Sequence, residues 1–254
     1  MSDWLLAIDT ATEIASVAVG TPQHVAAVVS VRGARSQSAQ IIELVDRALG
    51  LAAGAGKAGM GALSGIIVGD GPGSFTGLRI GWAAAKGLAH ERGLPLSAVP
   101  SLMGAAAGAA AWGAIAGPIG VCFDALRGQV YGAVYEFPAD RVVTLVAPDV
   151  LTVPELAHLA PPPARPRVVV GDGAVRYAAD VVAWTGAPPV GLEALPSVAA
   201  SLLVLVPRAG AVRAIPDPHT AEPTYGRPAD AQTKWEARHG RPLPDPSRSA
   251  QRRP

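Results

Sequence analysis

The sequence predicts an α/β protein assembled from two units of about 100 residues each, and three observations carry that reading. Runs of strand type come in quick succession and are followed by stretches of helical period. That pattern, strands then helices, occurs twice along the chain. Half of the 254 residues are hydrophobic and only 16% are charged, so the chain can bury a substantial core.

Trp4–Asp9 opens as a short apolar run, and Ile14–Gly20 and His24–Arg32 follow it around the turn residues Thr21-Pro22. Three strands so close together predict an antiparallel meander. From Gln37 to Leu51 the period changes. Ile41, Ile42, Leu44, Val45, Ala48 and Leu49 form an apolar stripe at helical spacing, and Ser36 or Ser38 can cap it. Gly65–Val68 is a strand, a glycine-rich corner follows, and a second helix runs from about Ser74 to Glu91. Leu96–Val99 is a short strand, and Pro100-Ser101 opens a third helix. The second cycle has strands at Ile119–Phe123, Gln129–Glu136 and Arg141–Val146, a short helix at Pro154–Leu159, a strand at Arg167–Val170, and helical stretches at Val175–Trp184 and Ser197–Val206. Residues 1–106 are expected to form a first lobe and 107–212 a second. The Pro-rich tail 213–254 is expected to be basic and largely irregular.

The charge is uneven. From Tyr225 onward there are seven Lys/Arg against three Asp/Glu, and the preceding part has fourteen against seventeen, for a formal net charge of +1. The body therefore lacks the basic footprint of a nucleic-acid binder. Cys122 is the single cysteine, so no internal disulfide forms, and its apolar neighbours predict a buried small hydrophobe. The Ala/Gly-rich stretch 104–117 falls short of the roughly 20 apolar residues a membrane helix needs. With no signal-peptide pattern at Met-Ser-Asp-Trp, the expectation is a cytoplasmic protein.

The corner reads Gly-Asp-Gly-Pro-Gly-Ser-Phe-Thr-Gly-Leu-Arg-Ile-Gly over residues 69–81. A helix start rich in glycine can hold a phosphate. This one lacks the lysine of a P-loop and the third glycine of a dinucleotide fingerprint. A structural turn capped by Ser74 or Thr76 fits it better. Within the helix, Gly77, Gly81 and Ala84/Ala85 fall one turn apart, with Gly87 nearby. A glycine inside a helix costs about 1 kcal/mol relative to alanine. Close backbone approach by another helix would offset that cost, with Leu78, Trp82 and Leu88 supplying apolar area. The approaching helix is either the chain's own 37–51 or one from another subunit, and the residues alone leave both open.

Catalytic motifs are sparse. None of His24, His90, His158, His219 and His239 is spaced to share a metal with another, and there is no Gly-x-Ser-x-Gly elbow. His90 is expected near a helix end, where its charge suits the dipole. Asp9 and Asp124, each at a strand end, are candidates for a carboxylate pair, although each also suits a local turn.

Several stretches carry a family likeness. Asp9-Thr10-Ala11-Thr12 followed by Ser16–Val19 resembles the first phosphate hairpin of actin-like proteins and sugar kinases. Gly71–Gly81 resembles the signature of the TsaB (YeaZ) family, and 34–49, 123–136 and 222–231 agree with it. The resemblance implies two stacked actin-like lobes of ribonuclease-H-like (ASKHA) design, with mixed sheets and flanking helices. It implies a non-catalytic subunit for threonylcarbamoyl transfer to the tRNA adenosine next to the anticodon. Such a subunit binds a TsaD-like enzyme, helps recruit a TsaE-like ATPase and forms homodimers when alone. The interface residues implied are Gln37, Ile41, Leu44, Val45, Ala48, Phe75, Gly77, Leu78, Gly81, Trp82 and Ala85. Asp9, Thr10, Thr12 and Asp124 would mark a vestigial nucleotide site, with ATP and magnesium held by the partner subunits and no metal here. Apart from the resemblance, the basic residues of the tail, Lys234, Arg238 and Arg241 among them, are candidates for tRNA phosphate contacts, with a disordered, merely solubilising tail as the alternative because prolines interrupt it. Ala11 replaces the glycine usual in active actin-like proteins, and the 37–51 helix has no histidine where the catalytic relative has its metal-binding pair. An actin-fold ATPase or small-molecule kinase is the alternative, and a glycoprotease-like peptidase a more remote one.

Overall fold

The computed structural model describes residues 4–33, 37–54, 59–113, 115–227, 238 and 240. The meander forms as expected: β1 (Trp4–Asp9), β2 (Ile14–Thr21) and β3 (His24–Arg32) pair antiparallel in sequence order. Helix α1 (Gln37–Gly54) carries the chain back, so that β4 (Leu63–Gly69) enters parallel to β1 on its other side. Helix α2 (Phe75–Arg92) and β5 (Leu96–Val99) repeat the crossover. The serine predicted to cap α2 does so, with Ser74 accepting from the Gly77 amide.

The second half follows the same plan. After α3 (Ser101–Gly113) come β6 (Ile119–Asp124), β7 (Val130–Glu136) and β8 (Val143–Leu151), again an antiparallel meander. Helix α4 (Val153–Leu159) then leads to β9 (Val168–Val170), parallel to β6. The helical stretch expected at 175–184 is two helices, α5 (Asp172–Arg176) and α6 (Ala178–Thr185), broken at Tyr177. Helix α7 (Val198–Leu205) follows. With β10 (Arg213–Ile215) at its edge, the first sheet is ordered 10-5-4-1-2-3, and the second 8-7-6-9. Strands 6, 7, 8 and 9 thus take the places of 1, 2, 3 and 4. Both are the mixed sheets of actin-like, ribonuclease-H-like lobes, a repeat that residue identity does not reveal.

Alternation along β1 sets the layers. Leu6 and Ile8 face a core built with α1 and α2, while Ala7 faces α7. Helix α7 packs in turn on α3, which lies under β6 and β7, where Ile119, Val121, Phe123, Tyr131 and Ala133 join the same core. Outside the second sheet, Cys122, Val130 and Val134 pack with α4 and α6. Burial pushes the Cys122 thiol up to about 12, consistent with the small-hydrophobe reading. The central position explains the composition of α3. A Cβ at Gly104 would lie 2.8 Å from Leu202 and one at Gly108 2.8 Å from the Ser201 hydroxyl, so small residues let α7 sit tight against it. A helix apolar on all sides suits this buried middle layer. Among the described residues no helix is long and apolar enough to cross a membrane.

Within its described residues, the tail expected to be irregular supplies a strand. Strand β10 (Arg213–Ile215) returns to the first sheet and pairs antiparallel with β5. From there residues 216–227 run as a strap beside α2.

Candidate functional site

The glycine corner is a docking seat for the β1–β2 turn. A Cβ at Gly73 would collide with the Ala11 carbonyl oxygen, one at Gly77 with the Thr10 carbonyl oxygen, and one at Gly81 with the Thr10 hydroxyl. At Gly69 it would strike the Asp9 carboxylate. Hydrogen bonds fasten the seat. Thr10 Oγ1 donates to Gly77 O at 2.7 Å, Ser74 N to Ala11 O at 2.7 Å, and the Trp82 indole to Gly69 O at 3.1 Å. Asp70 N donates to Val99 O and Gly71 N to Ser101 Oγ. The corner amides of Asp70, Gly71, Ser74 and Gly77 therefore point to acceptors within the chain. A phosphate cradle needs such amides turned outward.

Asp9 sits at the centre of this packing with no solvent exposure. Its Oδ2 accepts from Ser101 Oγ at 2.5 Å and its Oδ1 from Ala11 N at 3.2 Å. Burial raises its carboxyl to about 6 against the lowering effect of those two bonds. Thr10 and Thr12 are buried beside it. Asp124 has a different environment. Its carboxylate meets Arg176 at 2.8 Å and accepts from Leu126 N, while its own amide donates to Asp172. Burial raises the Asp172 carboxyl, and the Asp124 charge adds to the rise. Asp9 and Asp124 share no hydrogen-bond partner, and no cluster of three or more metal-type ligands occurs among the described residues.

The strap clamps the same corner from outside. Arg213 Nη2 donates to both oxygens of the Asp70 carboxylate, at 2.9 and 2.8 Å, and Thr224 meets Asp70 through both its hydroxyl and its amide. The Lys86 ammonium donates to the Ala221 carbonyl. Tyr225 stacks on Phe75 with ring centres 4.5 Å apart, and Arg79 lies over Phe75 while donating to the Tyr225 hydroxyl. The Arg213 side chain is half exposed, so solvent screens the pair. Asp70→Ala is expected to cost about 1–2 kcal/mol, read by denaturant unfolding, with earlier proteolysis after Arg213. Unchanged stability and cleavage would show that the Arg213–Asp70 pair does not hold the strap.

The structure moves most of the expected interface residues inside the chain. Ile41, Leu44, Val45, Ala48, Gly77, Leu78, Gly81, Trp82 and Ala85 are buried in its own layers, and Phe75 is half-buried under Tyr225. The close approach at Gly77 and Gly81 is made by Thr10, so the missing side chains there are accounted for without a partner. Gln37 begins α1, and its side chain lies outside the described residues. The outward faces of the two adjacent helices carry other residues. Ile42 is 54% and Leu51 57% exposed on α1, while Ala83 and Gly87 are exposed on α2 beside half-buried Ile80. A Cβ at Gly87 would meet nothing within 4 Å.

Ser101, Asp70, Arg213 and Thr224 were not singled out from the sequence as site residues. Asp70 lies inside the corner motif, and its charge between two glycines is the available signal. Lys234 and Arg241 lie outside the described residues, and Arg238 is exposed.

Comparison with known proteins adds the following. Residues 26–179 match the family model described as TsaD: tRNA N6-adenosine threonylcarbamoyltransferase. The tRNA threonylcarbamoyladenosine biosynthesis protein TsaB of Bacillus subtilis is 32% identical over 176 residues, 68% of this chain and 73% of that protein. TsaB of Escherichia coli is 36% identical over 157 residues, 61% and 64% of the two chains. The crystal structure of YeaZ from Pseudomonas aeruginosa superposes with a TM-score of 0.68 at 26% identity, covering 88% of this chain and 99% of that one.

Proposed function

The chain belongs to the TsaB family, and from that premise we propose that it acts in tRNA threonylcarbamoyladenosine biosynthesis as a non-catalytic subunit. Its partner is a TsaD-like protein that carries the chemistry, with ATP and magnesium held in the partner subunits. A TsaE-like protein joins the assembly, tRNA is met through the complex, and the free chain pairs with itself through the same surface.

One observation carries the binding surface: Gly87. A mid-helix glycine costs about 1 kcal/mol, and here the space beside it is open, unlike that at Gly77 and Gly81. Ile80, Ala83 and Gly87 follow a 3-4 spacing, so they form one outward stripe, low enough for a foreign helix to lie close. Ile42 and Leu51 on adjacent α1 add exposed apolar area. The scaffold reading draws further support from Asp9, whose carboxylate is closed over by Ser101 and Ala11.

Ala83→Arg and Gly87→Trp test the surface in the full chain mixed with its TsaD-like protein. Both side chains would project into solvent, so the fold is expected to persist by circular dichroism and thermal unfolding. Affinity for the partner is expected to fall at least about 100-fold, as when a central interface position is overfilled. Wild-type affinity in both variants would remove the stripe from the interface.

A further inference from the structure

We propose that His90 and His219 together form a surface site for a late first-row divalent ion of the zinc class, independently of the partner reading above. His90 lies in the last turn of α2, and His219 lies in the strap that crosses beside it. Their ring centres are 5.5 Å apart at an interplanar angle of 72°. A zinc–nitrogen bond of about 2.1 Å, plus about 1.1 Å from nitrogen to ring centre, puts each centre about 3.2 Å from a shared ion. Two such arms with their ends 5.5 Å apart subtend about 118°, near the tetrahedral angle zinc favours.

The surroundings favour a bound cation. The rings border a cavity of about 320 Å³ whose floor includes Ala89, Gly93 and Leu94. The site lies at the negative end of the α2 dipole. His219 is held in place by a turn in which its amide and the Thr220 hydroxyl both donate to Asp217. Lys86 also borders the cavity, but its ammonium is directed onto the Ala221 carbonyl. No third His, Cys, Asp or Glu completes a protein cluster among the described residues, so water fills the remaining coordination positions. The bound ion would tie the strap to the end of α2.

Calorimetric titration of the tag-free full chain with zinc chloride tests the site. One ion per chain is expected, with affinity lowered at least about tenfold in His90→Ala and in His219→Ala, and unchanged in His158→Ala. The imidazole proton resonances of His90 and His219 are expected to shift together during the titration. Both histidines are exposed, so the variants are expected to fold, which circular dichroism checks. Unchanged affinity in either single variant, or zinc that shifts neither ring, would overturn the site and leave an edge-to-face ring contact only.

Discussion

Gly77→Ala is expected to destabilise the chain by about 3 kcal/mol or more, the upper end of the range for overfilled cores. The new methyl would run into the Thr10 carbonyl oxygen, which is backbone and cannot swing aside as a flexible side chain can. Relief requires lifting the β1–β2 turn, which breaks the Thr10 Oγ1–Gly77 O and Ser74 N–Ala11 O bonds. The measurement is the denaturant midpoint at unchanged slope. Gly87→Ala supplies the contrast. It meets no obstacle, and the helix should gain up to about 1 kcal/mol. Equal stability for wild type and Gly77→Ala would mean the turn does not dock where the structure puts it.

Lowering the pH from 6 to 4 is expected to increase the stability contributed by Asp9 by about 2 kcal/mol. Its carboxyl has an ordinary value of 3.8 and is raised to about 6 in the folded chain, mainly by burial. A raised carboxyl means the folded state prefers the protonated form. That preference is fully present below about pH 4 and is lost as the pH climbs through about 6. Above that window the fold carries a buried carboxylate whose two hydrogen bonds offset only part of the desolvation. Asp9→Asn keeps the side chain's shape and removes its titration. Its stability, minus that of wild type, should rise across this window and level off above it. A flat difference from pH 4 to 7 would show that Asp9 titrates as an ordinary carboxyl.

Much of the architecture was legible locally. β1, β3 and β5 match their expected bounds to the residue, and α2 begins one residue after its serine cap. These elements have strong period and clear stops. The break at Tyr177 and the short strand β10 were not legible. Three residues pairing with a distant edge carry no pattern of their own. The site was harder still. The helical period of α1 was legible, although Ile42 of the expected stripe turns outward, and a stripe does not say whether it faces the chain's own sheet or a partner. Ile41, Leu44, Val45 and Ala48 face the sheet.

By itself the sequence determined the α/β class, the twofold succession of strands and helices, and the family motifs, because each is written in residues close together along the chain. Only the tertiary structure decided what the glycines are for. Gly77 and Gly87 are ten residues apart on one helix and look alike in sequence. One lies under the Thr10 carbonyl and the other faces open space, because the β1–β2 turn folds back over only one end of α2. Which side chain must be absent depends on which distant backbone arrives beside it, and that is fixed by packing across the whole fold.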